Sequence, residues 1–290
     1  MFYSKLRFTL RFKIILILLC VSLVPLLILA NYQLTQYWAV TTENIKAQEI
    51  ESANQNAKII DTWINSKIMQ LTEMYSNHPE YNQMHIDTVM KTFRGINESD
   101  AEVELAIVAD KDGTSAIDNL ARSSVADKEH FIKAKETKQV VISNVIVSER
   151  TGAKIIAIAL PILDDSKNFV GIIQSNIAVK ALENNIGTVK IAKTGYAYLM
   201  GNDGTIIFEQ DSNKIGKTYK EFSNDPTKLE AFDKNVMVNQ NGFIQYKEDD
   251  GTDMVGAFST VPSTGWKVVV TAHPQRYTLI YTRQYLLFYS

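Results

Sequence analysis

Val103-Glu104-Leu105-Ala106-Ile107-Val108-Ala109-Asp110-Lys111-Asp112-Gly113-Thr114 reads as a strand that runs into a chain reversal. Residues 103–109 are short and mostly apolar, and an Asp-Gly pair directly after such a run is a strong local hairpin signal. The device occurs twice more: Tyr196–Met200 leads into Gly201-Asn202-Asp203-Gly204 and a strand over 205–208, and residues 242–246 lead into Asp249-Asp250-Gly251 and a strand over 253–259. Laying the first copy on the second superposes Asp112-Gly113-Thr114 on Asp203-Gly204-Thr205, Leu105 on Tyr196 and Ile107 on Tyr198. That self-match predicts two related lobes. Each continues into strands that close a sheet, over 140–147, 154–161 and 169–178 in the first and 242–246, 254–260 and 266–272 in the second, with a connecting helix over 180–192.

Toward the N-terminus the period becomes helical. A short helical stretch lies around 86–94, and before Asn77-His78-Pro79 comes a much longer one. There Leu34, Trp38, Ile45, Ala53, Ala57, Ile60, Ile64, Ile68, Leu71 and Tyr75 recur mainly at three-, four- or seven-residue steps, while Glu43, Lys46, Glu49, Glu51, Lys58, Asp61 and Lys67 mostly take the other positions. About 44 helical residues extend some 65 Å, longer than a small domain is wide, so the helix is expected to run along the whole folded region. A plain stalk or coiled coil fits the same pattern.

Further upstream, Lys5, Arg7, Arg11 and Lys13 precede a run from Ile14 to Thr42 that carries no charge. Its first part is apolar, broken only by Cys20, Ser22 and Pro25, and about 17 residues cover roughly 25 Å, enough for a membrane core. Positive charge on one side only places the N-terminus in the cytoplasm and the bulk of the chain outside, with Tyr32, Tyr37 and Trp38 at the outer interface. A cleaved signal peptide is the alternative, although Ile28 is a poor residue two places before Ala30.

Composition narrows the function. Thirty basic against 32 acidic residues leave a net charge of −2, which argues against a nucleic-acid partner. The single cysteine, Cys20, lies in the span, so the exterior must fold without an internal disulfide. His78, His85, His130 and His273 lack ligand spacing, so no metal site is expected. Asp110-Lys111-Asp112-Gly113 begins like a calcium loop but lacks its third carboxylate and closing glutamate, and a hairpin turn fits better. Neither a nucleophile elbow nor a glycine-rich phosphate loop is visible, so the chain reads as no enzyme, with no cofactor.

The residues carry a family resemblance over most of the exterior. The order of anchor, long helix, strand ending in Asp-x-Asp-Gly, Asp127-Lys128-Glu129-His130-Phe131, Thr151-Gly152, Leu160-Pro161-Ile162 and Val170-Gly171-Ile172-Ile173 resembles the membrane-distal lobe of a double Cache (dCache) sensor domain. Gly195-Tyr196-Ala197-Tyr198-Leu199, Asn202-Asp203-Gly204 and Thr264-Gly265-Trp266-Lys267-Val268-Val269 are similar to its membrane-proximal lobe. The resemblance implies an α+β fold: an N-terminal transmembrane helix, a long membrane-to-tip helix and two PAS-like antiparallel-sheet lobes. The division it implies is residues 1–13 cytoplasmic, 14–32 spanning, 33–78 long helix, 79–180 distal lobe, 181–275 proximal lobe and 276–290 the approach to a second, truncated span. It implies a homodimer through the long helix, with the apolar stripe from Ala53 to Leu71 as the expected locus, and signalling to a cytoplasmic module, foremost that of a methyl-accepting chemoreceptor, otherwise a histidine kinase or diguanylate cyclase.

In the amino-acid-recognising branch of the family, the distal lobe supplies an arginine followed by two aromatics for the ligand carboxylate, then a tyrosine, and two aspartates for the α-ammonium. Matched residue by residue, the resemblance puts Lys128 at the arginine position, His130 and Phe131 at the aromatic pair, Ile146 at the tyrosine, and Ser148 and Asn176 at the aspartates. Two neutral residues compensate a buried ammonium poorly, at a cost of several kcal/mol, so an α-amino acid is disfavoured. Lys128 can still hold an anion as a point charge, worth about 1.5–3 kcal/mol. The expected ligand is a small anionic or neutral polar metabolite. A purely structural surface protein would share the anchor and lobes, but needs no cavity holding Lys128, His130, Ser148 and Asn176.

Overall fold

The computed structural model describes residues 10–83, 86–116, 122–182 and 196–272. Compactness divides the chain into two units, Met1–Gln48 with Tyr277–Ser290, and Glu49–Arg276. In the first unit the described residues are helical, and Leu10–Tyr37 is long and apolar enough to cross a membrane, with a mean hydropathy of 2.9 and none of it buried. It belongs to helix α1, Leu10–Ser76, which contains Pro25 and stops just before Asn77.

In the second unit, Ala53, Ala57, Ile60, Ile64 and Leu71 of α1 are at most 2% exposed. They share one core with Ala106, Ile156 and Ile173 of a first sheet and Ala257, Val268 and Val270 of a second. A fully buried isoleucine contributes about 1.5–3 kcal/mol over an exposed one, so this stripe is what both sheets fold against. It is therefore spent within the chain, and the stripe named as the dimer locus is corrected: a helix face buried in its own core is not free for a partner. Ile59 and Met69, 49% and 57% exposed, lie off that stripe.

Lys67 also departs from the helical-wheel expectation. It is 7% exposed and bonds Asp100 at 2.6 Å and Glu102 at 2.7 Å, while Trp63 donates to Glu102 at 2.9 Å. Burial pulls the Lys67 ammonium down, but its two carboxylate partners outweigh that and hold it above its ordinary pKa. These bonds tie α1 to the turn that follows α2, Ile86–Ser99.

The first sheet contains β1 (Val103–Asp110), β2 (Thr114–Ala116), β3 (Arg122–Ser124), β4 (Val141–Ile142), β5 (Ile146–Val147), β6 (Lys154–Leu163) and β7 (Phe169–Ala178). Its order is β3-β2-β1-β7-β6-β4, with β5 also on β6. The second contains β8 (Tyr196–Met200), β9 (Ile206–Phe208), β10 (Asn241–Lys247), β11 (Asp253–Thr260) and β12 (Lys267–Ala272), in the order β10-β11-β12-β8-β9. All pairings are antiparallel, and both sheets repeat one plan: the strand before the Asp-Gly-Thr turn lies between its hairpin partner and the last strand of its sheet.

The turns form as their residues require. Gly113 and Gly204 have φ of 81° and 86°, which glycine adopts without the Cβ penalty. A Cβ on Gly113 would also lie 2.6 Å from Ala126. Asp110 Oδ1 accepts from the amides of Asp112 and Thr114, so this carboxylate closes a turn.

The strand expected over 140–147 is two short strands instead. Ser143 interrupts it by offering its own Oγ, at 2.8 Å, to the Ala157 amide that a continuing strand would have bonded through a carbonyl. Residues 179–182 form a 3-10 turn, and residues 183–195 and 273–290, which hold most of the expected connecting helix and the expected approach to a second span, lie outside the described residues.

Candidate functional site

Side chains alternate across the first sheet, so 105, 107 and 109 of β1, 155, 157 and 159 of β6, and 172, 174 and 176 of β7 face away from α1. Helix α3, Glu129–Thr137, covers part of that face: Phe131 and Ala134 pack on Ala109, Ala159 and Ile172. Beyond the N-terminal end of α3 the cover stops, and a cavity of about 400 Å³ opens over Leu105, Ile107, Ile155, Gln174 and Asn176. The first turn of α3, the short strand β5 and the turn after it form its sides.

Lys128, His130, Ile146, Ser148 and Asn176 all line this cavity. Phe131 does not. Successive helical residues point about 100° apart, so His130 facing the cavity turns Phe131 into the core, where it is 3% exposed and packs edge-on against Phe169 at 5.7 Å. Phe131 thus holds α3 on the sheet and does not wall the cavity.

Lys128 stands at the N-cap position of α3, where its side chain makes no capping bond, and is not a bare cation. Its Nζ bonds Glu149 at 2.7 Å and lies 3.5 Å from Asp127, and the bond to Glu149 raises its pKa. The side chain is 35% exposed, and such a pair is worth about 0–1 kcal/mol, little for an anionic ligand to displace. The positive end of α3 lies on the same side.

His130 is 4% exposed. Burial lowers its pKa, Gln174 nearby acts in the opposite sense, and Lys128 adds to the lowering, so the ring is neutral at neutral pH. Its Nε2 and the Gln174 Oε1 are both buried and, among the described residues, make no hydrogen bond of good geometry, while Gln174 Nε2 donates to Asn176 Oδ1 at 2.7 Å. Each unmet group costs about 1–3 kcal/mol, which a ligand that bonds it recovers.

Glu104 is the residue that sequence reading missed. The register of β1 on β7 slips between Val103 and Leu105, leaving Glu104 as the extra residue of a bulge, next to the Leu105–Asn176 pair. Glu104 Oε1 accepts from the hydroxyls of Ser148 and Thr151, and Oε2 is buried with no partner among the described residues. With its proton directed to Glu104, the Ser148 oxygen accepts from the Thr151 amide at 3.4 Å and keeps one lone pair for a donor in the cavity. A carboxylate therefore stands behind the wall on which both inherited positions are neutral. The available signal was an acidic residue inside an otherwise apolar strand.

Three hydrogen bonds join this lobe to the second. Asn144, which lines the cavity, donates to Asp203 Oδ2 at 2.9 Å, and Lys154 Nζ donates to the carbonyls of Ser212 and Ile215 at 2.6 and 2.9 Å. Among the described residues no group of three or more His, Cys, Asp and Glu is placed to hold a metal ion.

Known proteins share this architecture. The family model described as "dCache_1: Cache domain" matches residues 39–279. The ligand-binding domain of the Pseudomonas aeruginosa PAO1 amino acid chemoreceptor PctB, solved with L-Arg, superposes with a TM-score of 0.66 at 15% identity, covering 81% of this chain and 98% of that one. An extracellular domain assigned to a histidine kinase, mmHK1S-Z3, gives 0.68 at 14% identity over 82% and 97%. The Pseudomonas aeruginosa PAO1 chemoreceptor domain of PctC, solved with GABA, gives 0.61 at 17% identity over 77% and 96%. In sequence, Sporulation kinase D of Bacillus subtilis (strain 168) is 36% identical over 85 residues, 29% of this chain and 16% of the kinase. The chain thus spans about a sixth of the length of that curated relative.

Proposed function

The chain belongs to the Cache domain family, and we propose that it is the ligand-sensing region of a membrane-anchored bacterial receptor that takes a small polar metabolite into the first-sheet cavity. The observation that carries this reading is the cavity of about 400 Å³ on which Lys128, His130, Ile146, Ser148 and Asn176 converge. Its lining suits a ligand with an anionic group toward Lys128 and a hydrogen-bond donor toward Ser148 and Gln174. The metabolite is anionic or neutral overall, and a zwitterion meets both ends.

In this reading Leu10–Tyr37 is the anchor, with Lys5 and Arg7 on its cytoplasmic side and both sheets outside. The lobe of residues 79–180 is membrane-distal and that of 181–275 membrane-proximal. The region is not itself catalytic. Ligand binding shifts the balance between arrangements of the two lobes, through its differential affinity for them, with Asn144–Asp203 and Lys154 as the joints.

Two outputs have support. The chemoreceptor output rests on the ligand-binding domains of PctB and PctC, and the histidine-kinase output on the extracellular domain of mmHK1S-Z3 and on Sporulation kinase D. Reading the coding sequence downstream for a methyl-accepting coiled coil or a kinase core decides between them.

The binding test is a thermal-shift screen of the full chain in lipid nanodiscs against carboxylates, phosphates, amines and amino acids. A ligand at 100 times its Kd stabilises by about 2.7 kcal/mol. The expected result is a saturable response that Ser148→Phe removes; a response untouched by Ser148→Phe contradicts the site. Homodimerisation is proposed through the exposed side of α1. In a Cys20→Ser background, Ile59→Cys or Met69→Cys should crosslink in membranes, and failure at both sites counts against it.

A further inference from the structure

The second sheet holds charges for which metabolite sensing in the first has no use. Glu209, 7% exposed, pairs with Lys214 at 2.8 Å, and Lys228, 5% exposed, pairs with Glu248 at 2.7 Å. Both ammonium groups lie over aromatic rings. Lys214 Nζ is 5.2 Å from the centroid of Phe222, and Lys228 Nζ is 5.9 Å from that ring and 5.4 Å from Tyr246. Tyr196, Tyr198 and Phe232 complete the box, which leaves about 10 Å³ free, room for one water. On the same face of the sheet the hydroxyls of Tyr246 and Thr271, residues 4% and 1% exposed, lie buried beside one another.

Aromatic faces around a desolvated carboxylate recognise ammonium groups, and here both guests belong to the chain. They are not equally held. Lys228 sits in the short helix Pro226–Ala231 with its side chain 7% exposed, whereas Lys214 rides on the loop after β9 with its side chain 30% exposed. Lys214 can leave by rotation about its own side-chain bonds. Its departure strands the Glu209 carboxylate, a cost of several kcal/mol for a buried ion, unless another cation takes its place.

We propose that this box is a second binding site, selective for a primary alkylammonium group, which the chain keeps closed with Lys214 as an internal ligand. The guest enters between Glu209 and Phe222, where the lysine ammonium now sits. A tethered competitor acts at an effective concentration on the order of millimolar, so the wild-type site admits only guests that outcompete it.

n-Butylammonium reproduces the end of a lysine side chain, and n-butanol is its uncharged control. Titrated into the full chain in nanodiscs by calorimetry, n-butylammonium should bind Lys214→Ala at least about tenfold more tightly than wild type, because the competitor is gone. Lys214→Met keeps the apolar stem and should behave alike, so either variant serves if the other misfolds. Adding Glu209→Gln should abolish the gain, while Ile107→Tyr, which fills the first-sheet cavity, should leave it intact. Equal affinity for wild type and both Lys214 variants, a gain that survives Glu209→Gln, or equal binding of n-butanol would overturn the proposal.

Discussion

Leu105 and Ile107 of β1 hold the places that Tyr196 and Tyr198 hold in β8, each pair preceding an Asp-Gly-Thr turn and facing away from α1. Beyond the N-terminal end of α3 the aliphatic pair leaves about 400 Å³ open. On the matching face of the second sheet, Tyr198, Phe232 and Tyr246 pack together, with Phe232 edge-on to Tyr246 at 5.8 Å, and two lysine–glutamate pairs take up the remaining space. One strand order therefore yields an open lobe and a filled one, and side-chain volume on one face makes the difference. The cavity is a consequence of what the first sheet lacks.

The largest effect expected from breaking that comparison is on stability. Tyr198→Ala removes a packed ring and should cost about 3–5 kcal/mol by denaturant unfolding, while Ile107→Ala, already facing a cavity, should stay near about 2 kcal/mol. Equal costs would mean that the two faces are packed alike.

Next comes charge. Glu104→Gln should weaken an amine-bearing ligand by about 1.5–3 kcal/mol in calorimetry, tenfold or more, and leave a carboxylate without an amine unchanged. The His130 effect is smaller and has a definite sign. Burial lowers its folded pKa below the unfolded value near 6.5, so as pH falls through 6.5 the unfolded chain takes up a proton that the folded chain resists. Wild type should therefore lose stability relative to His130→Gln between about pH 7 and 5.5, with no difference between them in pH dependence above about pH 7.5. Smallest is Lys128→Ala, which removes an exposed pair and should change stability by less than about 1 kcal/mol while reducing affinity for an anion-bearing ligand.

Much of the fold was legible because its signals are local. An apolar run followed by Asp-Gly marks a hairpin whatever surrounds it, and the three-to-four step of Ala53, Ala57, Ile60 and Ile64 marks a buried helix face. What that face packs on is a tertiary fact, so the stripe read as a dimer contact is the core of the chain itself. Five of the six candidate site residues converge on one cavity, whereas Phe131, adjacent to His130, is turned away by helical geometry. Glu104 stayed hidden because a bulge breaks the alternation that a strand reading assumes, and Ser143 because a side-chain oxygen replaced a strand bond.

The central claim is that the open face of the first sheet is where the ligand sits. Calorimetry of the full chain in nanodiscs, using the strongest ligand from the thermal-shift screen, should show binding to wild type and its loss in Ile107→Tyr, which gives β1 the ring that β8 carries, with the melting temperature of the unliganded variant retained. Undiminished binding by a folded Ile107→Tyr variant would contradict the account.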